Sequence, residues 1–75
     1  MTRYFSAEKL GKDDFGVAFT QQEGEVVYDA KTIHGPWATM TEDSFQQYGV
    51  GLGLGLGQKY VRNAIGELHL VEGGE

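Results

Sequence analysis

Gly49-Val50-Gly51-Leu52-Gly53-Leu54-Gly55-Leu56-Gly57 alternates glycine with branched apolar residues. Were the stretch extended, Val50, Leu52, Leu54 and Leu56 would share one face and leave the other as bare backbone. Glycine inside a strand costs roughly 0.5–1 kcal/mol relative to alanine, so the glycines of this run together cost roughly 3–5 kcal/mol. That is a sizeable part of the roughly 5–15 kcal/mol by which a small domain is stable. Leucines packed inward around a tightly curved core loop would offset it. So would an aromatic ring or a second stretch of backbone laid on the bare face, or a bound partner in the same place. Strand and loop both remain open for residues 49–57. A nucleotide cradle does not: G-x-G-x-x-G needs glycines three apart, and every glycine of the run is at an odd position. A P-loop ends in Gly-Lys-Ser/Thr, and here Gly57-Gln58-Lys59-Tyr60 follows.

On the N-terminal side, Thr41-Glu42-Asp43-Ser44-Phe45-Gln46-Gln47-Tyr48-Gly49 reads as a short helix over about 41–48. Thr41 is an N-cap, Glu42 and Asp43 suit the positive end of the helix dipole, and Gly49 is expected as the C′ residue. Before it comes Ile33-His34-Gly35-Pro36-Trp37-Ala38-Thr39-Met40, where Gly35-Pro36 breaks regular structure. Trp37 is the only tryptophan and is expected in the core, its ring lying across the glycine face. Phe15–Thr20 and Glu25–Asp29 read as one hairpin around Gln21-Gln22-Glu23-Gly24. Gln58–Arg62 and Glu67–Val71 read as a second around Asn63-Ala64-Ile65-Gly66. Ser6 is placed to cap one helical turn ending at Gly11, and residues 72–75 read as a disordered tail. The fold class that follows is a small single α+β domain over residues 1–75, with two short β-hairpins, one short helix and a Gly-rich segment.

A chain of 75 residues has a small core and usually relies on a metal, a disulfide or oligomerisation. Cysteine is absent, which excludes disulfides and thiolate metal sites. His34 and His69 are far apart in sequence and form no recognisable ligand pattern, so neither metal nor other cofactor is expected. Eleven acidic residues against six Lys and Arg give a net charge of −5 with no basic run. That argues against phosphate-based nucleic-acid binding; it fits a merely soluble surface first, and a basic patch on a protein partner second. No apolar run is long enough to span a membrane, and Met1–Phe5 lacks the apolar stretch of a signal peptide, so the expected location is the cytoplasm of a bacterial host cell.

Catalytic constellations are missing as well. Ser6 and Ser44 have no His-Asp pattern beside them and suit helix starts. Asp13-Asp14 and Glu42-Asp43 are adjacent pairs, whose side chains diverge on any regular element and do not suit paired acid–base work. No enzymatic activity is expected.

Gly35-Pro36-Trp37-Ala38-Thr39-Met40, then Tyr48-Gly49-Val50-Gly51-Leu52-Gly53 and Gly57-Gln58-Lys59-Tyr60, resembles the pattern of a group of small phage and prophage proteins of uncharacterised function, many of them similar to zinc ribbons. That pattern is G-P-W-A-x-M-C-x-x-C, a few residues, Y-G-x-G-L-G-x-G-x-G-Q-x-Y, and a terminal hairpin. The likeness covers roughly positions 33 to 71. The family's Cys-x-x-Cys falls on Thr41 and Ser44, and its earlier cysteine pair near Asp13-Asp14-Phe15-Gly16. The resemblance therefore implies a metal-free branch of the scaffold. Capping by Thr41 and packing of Phe15, Phe19, Trp37, Phe45 and Tyr48 would replace the zinc. It implies a phage or prophage origin and no assigned activity.

Taken together, the expected function is a non-enzymatic accessory protein that binds a host or phage protein. Trp37, Gly51, Leu52, Gly53, Leu54 and Gly55 are the candidate binding residues. A structural or assembly role through self-association is the alternative, with the bare glycine face pairing between copies. A metal-free zinc-ribbon relative binding nucleic acid is the second alternative. It requires Arg3, Lys9, Lys12, Lys31, Lys59 and Arg62 to cluster in space.

Overall fold

Val26-Val27-Tyr28-Asp29-Ala30-Lys31 forms the strand on which the rest of the sheet assembles. Its β-branched and aromatic residues favour a pleated surface with both faces used. The computed structural model of the chain describes residues 11–53 and 55–73. Within them run β1 (Val26–Lys31), β2 (Trp37–Met40), α1 (Glu42–Tyr48), β3 (Gly57–Arg62) and β4 (Leu68–Glu72). The four strands make one sheet in the order β2-β1-β3-β4, with every pairing antiparallel. The fold is small α+β.

Alternation along β1 divides the core between the two faces. Val27 faces Tyr60 of β3, and both pack with Phe19, Leu68 and Leu70. On the opposite face Tyr28, Ala30 and Met40 pack under α1, joined by Val26, Ala38, Phe45, Tyr48 and Leu52. The helix is anchored there by stacking of Phe45 on Tyr28, with ring centroids 3.9 Å apart. Stacked aromatic pairs contribute about 0.5–1.5 kcal/mol beyond their buried area.

The helix and the second hairpin lie where the sequence places them. Thr41 caps α1, its hydroxyl accepting from Ser44 N–H. In the β3–β4 turn the Asn63 side-chain oxygen accepts from the amides of Ile65 and Glu67 at 3.1 and 2.9 Å. This is the local closure that makes asparagine a turn residue. Gly49 stops the helix, but not by a left-handed turn: its φ is −77°. A Cβ there would strike the Phe45 ring, so the glycine makes room for the aromatic that holds α1 to the sheet.

The first hairpin has a different partner. Phe15–Thr20 is not a strand, and β1 pairs instead with β2 across a turn at 32–36. Asp13 explains part of the difference. Its Oδ1 accepts from the amides of both Phe15 and Val17 at 2.9 Å, groups that a strand would need for its ladder. Gln21–Gly24 still turns, with Gly24 at φ +89°. There the Gly24 amide donates to Arg62 of β3, not to a partner strand at 15–20.

The Gly-Leu run is a loop. Gly49 bridges to Thr32, and the chain then reverses sharply, with the amides of Leu56 and Gly57 both donating to the Gly53 carbonyl at 3.0 Å. Gly55 takes φ +80° in that reversal. Gly57 is required for a different reason: a Cβ would collide with that of Ala30 and lie 2.9 Å from the Gly51 carbonyl oxygen. The Ala30 methyl and the Gly51 and Ala30 backbone, not a tryptophan ring, cover this glycine. Trp37 is 46% exposed, which corrects its expected place in the core. It is on a strand at the edge of the sheet among the described residues, and Tyr28, Tyr60 and Met40 fill the interior instead. β4 continues through Glu72, the first residue of the expected tail. Residues 6–10 of the expected first helical turn, Leu54, and residues 74 and 75 lie outside the described residues.

Candidate functional site

At the Lys31 end of β1 three segments converge on one residue. Trp37 of β2 pairs directly with Lys31. The Lys31 amide donates to the Leu56 carbonyl at 2.8 Å, and its carbonyl accepts from the Val50 amide at 3.2 Å. The main chains of Trp37, Val50 and Leu56 thereby all meet at Lys31, whose aliphatic stem is of a kind that can cover apolar neighbours while its ammonium stays wet. Ile33 follows two residues along the chain, its amide bonded to the Tyr48 carbonyl. Ile33 is 61% exposed, and Trp37, Val50 and Leu56 each 40% or more. Single exposed apolar residues are ordinary, whereas a group rimmed by polar residues marks a contact surface. The main chain beneath is well bonded: the Thr32 hydroxyl and amide both donate to the Pro36 carbonyl, at 2.8 and 3.0 Å. This end is a stiff platform carrying greasy side chains.

The residues singled out from sequence divide between this surface and the interior. Trp37 is on it. Leu52 packs into the core with Tyr28, Ala30 and Met40. Gly51 is half-buried with its carbonyl against Gly57, and Gly53 is bridged to Gly57. Gly55 is exposed at the reversal. Leu54 is outside the described residues. Ile33, Val50 and Leu56 were not among the candidate binding residues, and Lys31 entered only as one of the basic residues of the nucleic-acid alternative. Val50 and Leu56 were visible as the flanks of the glycine run, but their proximity to Trp37 depends on strand register.

A second polar cluster is at the start of α1. Asp13, only 5% exposed, accepts at Oδ2 from the amide and hydroxyl of Thr41, each at 2.9 Å. The Thr41 hydroxyl is 3.3 Å from that of Ser44, which is also buried. Burial alone would raise the Asp13 pKa. Hydrogen bonding from Ser44, Thr41 and Val17 outweighs it and holds the carboxyl at about 2. The cluster thus joins Asp13 to Thr41 and Ser44. It is a carboxylate with two hydroxyls, fully occupied by internal bonds. Among the described residues no group of three His, Asp or Glu side chains is arranged to hold a metal ion.

Among the described residues the basic side chains of the sheet do not gather. Arg62 is buried, its Nε 3.1 Å from Glu25 and its Nη1 donating to the Gly66 carbonyl at 2.9 Å. Lys31 and Lys59 fall on opposite faces of the sheet, since Lys59 pairs with Tyr28. Arg3 and Lys9 are outside the described residues. Among the described residues no helix is long and apolar enough to cross a membrane. Comparison with protein families, with curated proteins and with solved structures returned no match.

Proposed function

We propose that this chain is a small non-enzymatic accessory protein, of the phage or prophage type its sequence resembles. It acts by binding another protein through the apolar surface around Trp37. The exposure of Trp37 carries this reading. In a domain with so little core, the largest apolar side chain is exposed on a strand at the edge of the described sheet, and Ile33, Val50 and Leu56, which meet the same end of β1, are exposed as well. Buried tryptophan anchors supply much of the affinity in protein interfaces. The test is retention of a host protein on the immobilised chain, compared with Trp37→Ala and Val50→Asp variants shown to be folded. A host protein held by the wild type and released by both variants supports the reading. A partner held equally by all three removes this surface from the function.

Self-association is the second reading, and one observation favours it. β4 is at the sheet edge among the described strands, with Val71 54% exposed beside a register shift in the ladder. Strand edges pair with other strand edges unless blocked. Sedimentation at two concentrations tests it: a single monomeric species at both disposes of assembly through β4.

A further inference from the structure

The other end of β1 has the opposite character. β2 ends at Met40, opposite Tyr28, and the chain leaves the sheet at Thr41 to begin α1. β1 continues two residues further, to Val26. Main-chain groups alternate in direction along a strand. The Glu25 carbonyl accepts from Arg62 N–H and the Lys31 amide donates to Leu56, so the odd-numbered residues of β1 turn toward β3. The Thr32 amide donates to Pro36, so the even-numbered ones turn toward β2. Val26 therefore directs its N–H and C=O to the side that β2 has vacated. Among the described residues no turn, loop or cap hydrogen bond uses either group.

That vacancy opens onto a groove of about 430 Å³ between the 17–24 segment and the start of α1. Val17, Ala18 and Val26 supply its apolar lining. Glu23, Glu42 and Asp43 line it too, and all three are exposed. Among the described residues no Lys or Arg lines it. Glu25 also lines it, but its carboxylate is already engaged by Arg62 and by the amides of Thr20 and Gln21. Among the described residues, the groove thus presents a strand edge with one donor and one acceptor that those bonds leave unused, an apolar floor and a negative rim with no basic side chain beside it.

We propose that this groove binds an extended, positively charged polypeptide segment, which adds to the Val26 edge of β1 as a short strand. Added strands draw affinity from main-chain hydrogen bonds and specificity from alternate side chains. Here one set of side chains would rest on Val17, Ala18 and Val26 while the other carries cations to Glu23, Glu42 and Asp43. With a single residue of open edge, the rim charges carry much of the attraction, and binding weakens as salt rises.

The probe is the blocked hexapeptide of alternating lysine and valine, titrated into the ¹⁵N-labelled chain at low salt. Three comparison ligands accompany it: the glutamate–valine counterpart, the lysine–valine peptide N-methylated on its backbone, and spermine. Saturable shifts confined to the amides of Val17, Ala18, Val26 and Glu42 are expected with the lysine peptide. Kd should rise about tenfold in Glu42→Gln/Asp43→Asn, and by a similar factor in Glu23→Gln combined with Glu42→Gln. These residues are exposed, so both variants should fold, and the unperturbed remainder of the spectrum verifies it. The N-methylated peptide should bind at least tenfold more weakly. Equal binding of that peptide would overturn strand addition, and equal binding of spermine would reduce the site to a nonspecific cation surface. Shifts scattered over the molecule, or equal response to the glutamate peptide, would overturn the groove itself.

Discussion

The two ends of β1 treat backbone and side chains in opposite ways. Around Lys31 the main chain is saturated: β2 lies on one side and Leu56 and Val50 on the other, and apolar side chains are left in solvent. Around Val26 the backbone is open, the rim is acidic and the nearby structure is held by polar bonds centred on Asp13. A strand bonded on both sides has no edge to offer, so recognition at that end must rest on side-chain shape and hydrophobicity. A strand that outruns its neighbour offers main-chain groups, and recognition there depends little on which side chains the ligand carries beyond their charge. One short element thus supports two kinds of surface.

Substitutions that remove the support of each end make the contrast measurable. The largest effect is expected at Gly57, which lets the glycine loop lie against Ala30 and so builds the Lys31 end. Gly57→Val should destabilise by about 3 kcal/mol, at the upper end for overpacking because backbone as well as side chain must yield. A lowered urea midpoint is the readout, and an unchanged midpoint would mean the close approach is relieved without strain. At the Val26 end, Asp13→Ala strands the amides of Phe15, Val17 and Thr41, and should cost about 2–3 kcal/mol.

Acid sharpens the same point. The folded pKa of Asp13, about 2, is below the ordinary 3.8. Its contribution is therefore complete above pH 3.8 and is lost as pH falls through 2. The difference corresponds to about 2 kcal/mol. Urea titrations between pH 5 and pH 2 should show this loss in the wild type and its absence in Asp13→Asn. Parallel curves would assign acid sensitivity to other carboxylates.

Smaller effects follow. Thr41→Ala removes the α1 cap and one donor to Asp13, for a loss of about 1–2 kcal/mol in thermal or urea unfolding. Trp37→Ala should change stability by under about 1 kcal/mol while abolishing retention of the partner. If it instead unfolded the chain, Trp37 would be a core residue and the platform at Lys31 would lose its main side chain.

What could be read from sequence was local. Thr41 to Gly49 announces a helix because caps and first-turn acids act within a few residues. Asn63 and Gly66 announce a turn for the same reason. The alternation of Gly49–Gly57 left close backbone approach as one alternative among a curved core loop, an aromatic ring and a bound partner, since Ala30 and Gly51 meet Gly57 only after the sheet has formed. The exchange of hairpin partners was hidden because Asp13, a residue typical of surface turns, uses its carboxylate to take the Phe15 and Val17 amides out of strand pairing. The surface around Trp37 was half legible: its tryptophan stood out, but Ile33, Val50 and Leu56 join it only through register. The groove at Val26 was invisible, since it arises from where β2 ends and from which way a single peptide group points.

The Asp13 cluster also bears on local fluctuations. Three amide protons, those of Phe15, Val17 and Thr41, depend on one carboxylate although they belong to segments far apart in sequence. Any opening that frees that side chain releases all three together. In hydrogen–deuterium exchange they should behave as one cooperative unit with a common opening free energy, uniting the 13–17 loop with the first turn of α1 as a single foldon.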